Sequence, residues 1–372
     1  MRKLITKNTD WVNLVNHLNQ QKIVAFDLEA NGMHAYPEHI CLLQFGTDND
    51  QFIVYPEAIE SPKLLCDFFN NDEVEKIFHS CDYDIRSLHR DYGVSVSNMF
   101  DTAVAAQFLG AKQLGLANVI NKFLNVEIEK SKKFQKMDWG KRPLPDEALN
   151  YAADDVIHLI KLRNILVKKL KKLNRLDWVK EEIARLSTVR FKNNNSKNEA
   201  YLKIKGIRAL KPRQLAILKE LCIFREKIAV RKNMPPFKVV SNKLLISIAK
   251  KPDVDLNSMK GIGKWLLNNH KDLFVKAINK GIAAEPVFLD ALPKKPSWNN
   301  GSNARLTALK KWRLGKGEEL SLDPAVIWPT SSLQNIARKP DCFEKEINKN
   351  SDIRNWQKNV FSNELKNFIE KY

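Results

Sequence analysis

The sequence lacks the features that would place it in a membrane or in an oxidising compartment. No apolar run reaches the roughly 18–20 residues that a membrane span requires, and the opening MRKLITKNTD leads into polar sequence rather than into the apolar stretch of a secretory signal. The cysteines are dispersed and form no CxxC pair, so neither a disulfide framework nor a zinc site is indicated. They lie at positions 41, 66, 81, 222 and 342. We therefore expect a protein without a membrane partner that works in a reducing cytoplasm.

What the sequence contains is enough apolar material for folded domains, and an uneven charge. The 372 residues are 44% hydrophobic, which excludes a disordered chain and suggests two or three domains. Residues 1–190 hold 26 basic and 26 acidic side chains, whereas residues 191–372 hold 36 basic and 17 acidic ones, so the whole net charge of +19 lies in the second half. Such asymmetry suggests a polyanionic partner, most often nucleic acid, although a solvated lysine-rich surface is the alternative.

Two polar breaks divide the chain into three blocks. Residues 191–200 (FKNNNSKNEA) are aperiodic, and a proline-rich stretch covers 285–303. The blocks are 1–190, 201–283 and 304–372. In the first we predict strands over 23–28, 40–45, 51–55 and 76–79, together with helices that include a long one over 146–173. Strands followed by alternating helices and strands are typical of an α/β domain with a mixed sheet.

The second and third blocks show no convincing strand, and they repeat each other. Residues 224–252 align with residues 312–340 at a constant offset of 88 without gaps, and seven of the 29 positions are identical. This predicts two copies of one small helical domain.

Four carboxylates and a tyrosine stand out in the first block. Asp27 and Glu29 are two residues apart on a predicted strand, so their side chains point to the same face, where like charges repel unless a cation lies between them. Asp84 follows a short strand. Tyr151 and Asp155 are four residues apart on a predicted helix and share one face of it. Each residue alone has an ordinary structural explanation, as a turn, cap or core residue, and the same holds for His79 at a strand end.

The ordered set of motifs resembles the tyrosine subtype of the DEDD 3′–5′ exonucleases. It consists of FDLE (26–29), HSCDYD (79–84), FDT (100–102) and YAADD (151–155). The stretch KSKKFQKMDWGKRPL (130–144) is similar to the corresponding stretch of the ribonuclease D family, and the repeated helical blocks resemble HRDC domains. Leu28 stands where that family usually has Thr, and Asp154 stands where a small or neutral residue is commoner. Neither departure removes a metal ligand.

The resemblance implies an RNase H-like α/β domain with a mixed five-stranded sheet, over 1–190, followed by two all-α HRDC domains over 201–283 and 304–372. It implies two divalent ions, Mg²⁺ or Mn²⁺, with Asp27 between them, Glu29 and Asp155 completing one site and Asp84 supporting the other. The Tyr151 hydroxyl would aim the attacking water. The implied reaction is hydrolysis that removes 3′-terminal nucleotides as 5′-monophosphates.

The nucleic-acid contacts are predicted on charge alone. The candidates are Lys130, Lys132, Lys133, Lys141 and Arg142 near the site, and Lys203, Lys205, Arg208, Arg213 and Lys264 in the second block. Some of them would simply be exposed charges, and Phe134 and Trp139 could either stack on bases or belong to the core.

We expect a monomeric exoribonuclease that trims tRNA precursors and other structured RNAs. A DNA exonuclease is a rival interpretation, because the same carboxylates cut either polymer and the sequence shows no contact to a 2′-hydroxyl. A nucleic-acid-binding adaptor with an inactive nuclease fold is a rival from another class, although all four carboxylates and the tyrosine are intact.

Overall fold

The computed structural model describes residues 2–128, 131–192, 197–290 and 298–371. Within these ranges the first block, here called the α/β block, forms a six-stranded sheet in the order β1-β4-β3-β2-β5-β6. The strands are β1 (Arg2–Ile5), β2 (Ile23–Ala30), β3 (Ile40–Gly46), β4 (Gln51–Val54), β5 (Glu75–Phe78) and β6 (Met99–Asp101). β2–β3 and β3–β4 are antiparallel, whereas β1–β4, β2–β5 and β5–β6 are parallel. The mixed sheet is confirmed, but the predicted number of five strands is wrong.

The helices of the α/β block surround this sheet. They are α1 (Asn8–Asn19), α2 (Pro62–Asn70), α3 (Asp82–Tyr92), α4 (Thr102–Phe108), α5 (Leu116–Leu124), α6 (Asp146–Ile157), α7 (Leu159–Lys172) and α8 (Leu176–Leu186). The single helix predicted over 146–173 is interrupted at His158, where φ is −101° and ψ is −7°. Before the interruption α6 lies on β2, β3 and β4, and after it α7 packs against α4 and α5 and also against β2 and β5.

The two faces of the sheet serve different purposes. One face carries a phenylalanine cluster in which Phe26 lies 5.1 Å from Phe45 and 4.9 Å from Phe69, measured between ring centroids. The other face is covered by α6. Gly46 allows this close approach, because a Cβ there would lie 3.1 Å from the Cβ of Val156. The last turn of α6 is thereby held against β3, beside β2.

The C-terminal half is helical throughout its described part and repeats one arrangement. The first helical unit contains α9 (Pro212–Arg231), α10 (Pro236–Val239), α11 (Asn242–Lys250) and α12 (Lys264–Ala283). The second helical unit contains α13 (Asn300–Leu320), α14 (Pro324–Ile327), α15 (Thr330–Arg338), α16 (Phe343–Lys349) and α17 (Asn355–Ile369). An offset of 88 carries α10 onto α14 and α11 onto α15 without a residue of mismatch.

A buried arginine shows that the repeat extends to hydrogen bonds. Arg225 donates to the Val240 carbonyl at 3.1 Å and to Asn242 Oδ1 at 2.7 Å. At the same offset Arg313 donates to the Trp328 carbonyl at 3.0 Å and to Thr330 Oγ1 at 2.8 Å. Each arginine thus joins the first helix of its unit to the two short helices.

The two helical units are attached to the α/β block in different ways. A single hydrophobic core runs through the α/β block and the second helical unit, whereas the first helical unit has a core of its own. At the shared core Trp356 stacks on Trp178, with ring centroids 4.5 Å apart. Gly110 touches the second unit directly, since a Cβ there would lie 2.4 Å from the Ser321 carbonyl oxygen.

A loop of the α/β block contacts the first helical unit. Tyr36, between β2 and β3, packs against the core of that unit. Its hydroxyl donates to Glu226 at 2.6 Å, and its backbone N–H donates to Asn233 Oδ1 at 2.9 Å. The loop that holds Tyr36 begins directly after the strand that carries Asp27 and Glu29.

Candidate active site

Asp27 and Glu29 lie on β2, on the face covered by α6. β2 alternates buried apolar residues with these two half-buried carboxylates. In the antiparallel ladder Asp27 is opposite Gln44, and Glu29 is opposite Leu42. Because directly opposite residues share a face of the sheet, the two carboxylates point toward α6. No lysine or arginine in the described ranges forms an ion pair with either of them.

Asp84 lies in the first turn of α3 and is buried, with 6% of its surface exposed. The turn that leads to it is held by Asp101, which is fully buried at the end of β6. Asp101 accepts hydrogen bonds from the backbone N–H groups of Ser80 at 3.2 Å and Cys81 at 2.8 Å, and it also caps α4 through Ala103 N–H at 2.8 Å. From the sequence, Asp101 was noted only as part of the FDT motif, and its role in positioning the turn before Asp84 was not predicted.

Asp155 and Tyr151 are on α6, one turn apart. The Tyr151 ring lies 5.2 Å from the Phe134 ring and 6.3 Å from the Trp139 ring, the latter nearly parallel to it. The side chain of Gln135 hydrogen-bonds to Tyr151. Phe134 and Trp139 are both buried, so they belong to the packing that orients Tyr151 and do not present a free face to a base.

The electrostatics show that the four carboxylates and the tyrosine form one cluster. Burial, and then the charge of Asp84, raise the pKa of Asp27 well above its usual range. Burial, followed by Asp27, Asp155 and Asp84, does the same to the pKa of Glu29. These mutual effects require the groups to be close in space.

The remaining two carboxylates have raised pKa values as well. Burial and then Asp101 raise the pKa of Asp84 to about 8. Burial, then Asp27 and Asp154, raise the pKa of Asp155 to about 8. Asp154 itself is exposed and points away from the cluster, although its charge contributes to the shift. The site therefore concentrates negative charge that no described cationic side chain balances.

Tyr151 remains a neutral phenol. Burial is the largest cause that raises its pKa, and the charges of Asp155, Glu29 and Asp27 add to it. The hydroxyl therefore keeps its proton at neutral pH and can act as a hydrogen-bond donor, not as a phenolate base.

Among the described residues, no group of three or more His, Cys, Asp or Glu side chains is arranged as a complete metal site in this conformation. The donor set nevertheless suits hard divalent cations, because it consists of carboxylates alone, without a thiol or imidazole. The unbalanced negative charge also suits a divalent cation, because the cation would relieve the repulsion that raises these pKa values.

His79 is a structural residue in this arrangement. Its Nε2 lies 2.7 Å from the Leu114 carbonyl oxygen, and its Nδ1 lies 2.9 Å from Thr102 Oγ1. Both ring nitrogens are thus used to join β5 to α4 and to the loop before α5.

The predicted nucleic-acid residues occupy varied surroundings. Lys130 lies outside the described residues. Lys132 and Lys141 are exposed, whereas Lys133 pairs with Glu147 at 3.1 Å. Arg142 donates to the Cys41 carbonyl at 2.9 Å and lies over the Tyr55 ring, so its guanidinium is engaged within the protein.

The candidates of the first helical unit are all on its surface. Arg208 donates to the Asp290 carbonyl at 3.4 Å, and Arg213 donates to the Ala284 carbonyl. Lys264 begins α12 after Gly263. The exposed residues are Lys203, Lys205, Arg208, Arg213 and Lys264.

Comparisons with known proteins match both the α/β block and the first helical unit. A family described as 3'-5' exonuclease matches residues 3–171, and the HRDC domain family matches residues 214–278. The chain is 28% identical to ribonuclease D of Bartonella henselae over 100% of its own length and 90% of that protein.

Two solved structures show the same fold. Escherichia coli RNase D, described as an exoribonuclease involved in structured RNA processing, superposes with a TM-score of 0.73 at 20% identity and covers 100% of this chain and 99% of that one. The catalytic core of RRP6 from Trypanosoma brucei gives a TM-score of 0.67 at 26% identity, over 76% and 80% of the two chains.

The matched family and the clustered carboxylates place the chain in the class of 3′–5′ exonucleases. The HRDC match follows the exonuclease match, and the similarity to the Bartonella henselae protein spans both. The exonuclease and HRDC matches, together with the full-length similarity to a ribonuclease D, confirm the resemblance drawn from the motifs.

Proposed function

We infer that the chain is a 3′–5′ exoribonuclease that removes terminal nucleotides by metal-dependent hydrolysis. The observation that carries this is the cluster of Asp27, Glu29, Asp84 and Asp155 beside a protonated Tyr151, without a balancing cationic side chain in the described ranges. Such a cluster is costly in a metal-free protein and is useful where divalent cations bind a phosphodiester.

We assign the four carboxylates to two divalent ions, Mg²⁺ or Mn²⁺, with Asp27 shared between them. When bound, the ions would neutralise charge on the phosphate and lower the pKa of a water molecule. Tyr151 would hold that water through its hydroxyl and orient it toward the terminal phosphate. Phe134, Trp139 and Gln135 keep the tyrosine in place, and Asp101 keeps the turn before Asp84 in place.

The RNA partner is supported by charge as well as by family. The first helical unit, which contains the HRDC match, carries 19 basic and 5 acidic side chains over residues 201–283. We propose that this unit holds structured RNA, including tRNA precursors, through phosphate contacts that do not depend on sequence. The second helical unit is proposed to be a second HRDC domain, on the evidence of the common offset and the paired arginines. A monomer in the cytoplasm remains our proposal for the state and place of action.

The proposal is tested by degrading matched RNA and DNA oligonucleotides with Mg²⁺ or Mn²⁺, or with EDTA, and identifying the products. We expect 5′-monophosphates released from the 3′ end of RNA, and no release in EDTA. Preferential degradation of DNA would replace the proposal by the DNA exonuclease alternative.

Three variants test the residue roles. Asp27→Ala and Asp155→Asn should abolish turnover while the circular dichroism spectrum stays that of the folded chain. Tyr151→Phe should remain active, with a turnover rate reduced roughly 10²–10⁴-fold, because the positioning of the water is lost while the carboxylates remain. Wild-type turnover in the Asp27 variant would show that the site is misassigned.

A further inference from the structure

Gln44 is a buried amide whose hydrogen bonds are missing. It lies in the middle of β3, has no exposed surface, and neither its Nε2 nor its Oε1 has a partner among the described residues. Nearly all buried polar side-chain atoms in proteins are hydrogen-bonded, and leaving one unpaired costs about 1–3 kcal/mol. Gln44 belongs to no sequence motif, because a single glutamine in an apolar strand has no pattern of its own.

The sheet register shows what Gln44 faces. It is directly opposite Asp27 of β2 and directly opposite Ile53 of β4. Opposite residues of an antiparallel pair share a face, with Cβ atoms about 4.5–5.5 Å apart. Ile53 offers no hydrogen-bonding group, whereas the Asp27 carboxylate lies within reach of a side chain as long as glutamine.

We propose that Gln44 is a positioning residue for Asp27: its Nε2 donates to the Asp27 carboxylate in the metal-bound enzyme and fixes the orientation of that shared ligand. This role rests on the proposed function. The Leu28 backbone N–H already donates to Asp27, so a second donor would complete the restraint. An amide suits the place because it carries no charge of its own and its Nε2 can donate to the carboxylate.

The proposal predicts effects of opposite sign on stability and on metal binding. In Gln44→Met the unpaired amide is gone, so the metal-free chain should unfold at a higher temperature in EDTA than the wild type does. The same change removes a partner of a metal ligand, and such changes typically weaken metal affinity about 10–100-fold. A glutamine with a purely structural role would not produce this combination.

The experiment uses the full chain and Mn²⁺ alone. Calorimetric titration gives the Mn²⁺ dissociation constant, and thermal unfolding is recorded in EDTA and in saturating Mn²⁺. For Gln44→Met we expect the weaker affinity, the raised unfolding temperature in EDTA, and an exonuclease kcat that largely recovers at saturating Mn²⁺. Gln44→Leu is measured in parallel, so that a packing defect peculiar to methionine does not decide the result.

Gln357→Met is the matched control. Gln357 is also buried, but its Nε2 donates to the Val326 carbonyl at 2.7 Å in the second helical unit. Its replacement should lower the unfolding temperature and leave the Mn²⁺ affinity unchanged. If the wild type binds Mn²⁺ and both Gln44 variants bind it equally well, the role of Gln44 is refuted and the proposed function stands. If the wild type binds no Mn²⁺, the proposed function falls and the role of Gln44 falls with it.

Discussion

Replacing Trp356 by alanine should destabilise the whole α/β block, although the residue lies far beyond that block in the sequence. Trp356 is the second residue of α17 in the second helical unit and is 4% exposed. It stacks on Trp178 at 4.5 Å and meets Phe108 at 5.5 Å, both in the α/β block. Its backbone N–H donates to Glu181 at 3.0 Å.

The expected cost follows from the packing. Removing a buried tryptophan side chain typically costs about 3–5 kcal/mol of the free energy of unfolding. The two aromatic contacts, each worth about 0.5–1.5 kcal/mol beyond buried area, place this site at the upper end of that range. At about 2–4 °C per kcal/mol for a large domain, the unfolding temperature should fall by roughly 6–20 °C.

Urea unfolding of the full chain, followed by circular dichroism and by residual exonuclease activity, measures this cost. Because one core spans the α/β block and the second helical unit, activity should be lost together with the helical signal of these two parts in Trp356→Ala, at a lower urea concentration than in the wild type. The first helical unit has its own core and contributes a separate part of the helical signal. Trp265→Ala is the control. Trp265 is 38% exposed and lies in the first helical unit, whose core is separate, so its removal should leave the urea concentration at which exonuclease activity is lost unchanged. Loss of helical signal from Trp356→Ala with activity retained to the wild-type midpoint would refute the shared core.

Two further predictions concern charge. Folding raises the pKa of Asp84 and of Asp155 from 3.8 to about 8, so between pH 3.8 and about 8 the folded chain binds more protons than the unfolded chain. The unfolding temperature in EDTA should therefore fall as the pH rises through this range, and it should fall less steeply with Mn²⁺. A rise in the unfolding temperature over that range in EDTA would contradict the assignment. Replacing Lys203 and Lys205 by glutamine should raise the KM for structured RNA. It should also reduce the slope of log affinity against log salt concentration by about 0.7 for each phosphate that the protein no longer neutralises. The exposed pair Lys310 and Lys311 of the second helical unit serves as the control, and its replacement should change neither quantity. Equal effects from both pairs would show that the binding surface is not confined to the first unit.

The shared core also changes how RNA tethering can be tested. Removing residues 200–372 would strip Trp356 and its neighbours from Phe108 and Trp178, so a fall in activity would report unfolding as well as weaker RNA binding. Neutralising exposed lysines leaves both cores intact. Charge substitution, not truncation, therefore separates the two roles of the C-terminal half.

The sequence alone identified the residues whose chemistry is local to a motif. Asp27 and Glu29 could be placed on one face because strand side chains alternate, and Tyr151 and Asp155 because residues four apart share a helical face. The order of the motifs then indicated the family. These inferences need only short-range geometry, so they hold without knowledge of the tertiary structure.

Features that depend on distant partners escaped the sequence analysis. β1 is only four residues long and includes Arg2 and Lys3, and it is a strand because β4 pairs with it in parallel. β6 has three residues and is defined by its pairing with β5. Gln44 could not be selected either, because its meaning lies in the register that sets it opposite Asp27. The interruption of the long helix at His158 likewise follows from packing on the sheet rather than from a proline or glycine.

The two helical units are similar in sequence, but this similarity does not show what each unit does. Both helical units retain the arginine and its hydrogen bonds, yet the first carries 19 basic and 5 acidic side chains over 201–283, and the second carries 13 and 9 over 304–372. The more neutral copy contributes Trp356 to the core of the α/β block, while the basic copy keeps a separate core and touches the loop between β2 and β3 through Tyr36. A surface that must dock on a neutral block gains nothing from excess charge, whereas one that holds RNA needs it. The charge difference between the copies therefore supports the proposal that the first copy holds RNA, while the second packs on the α/β block and completes its core.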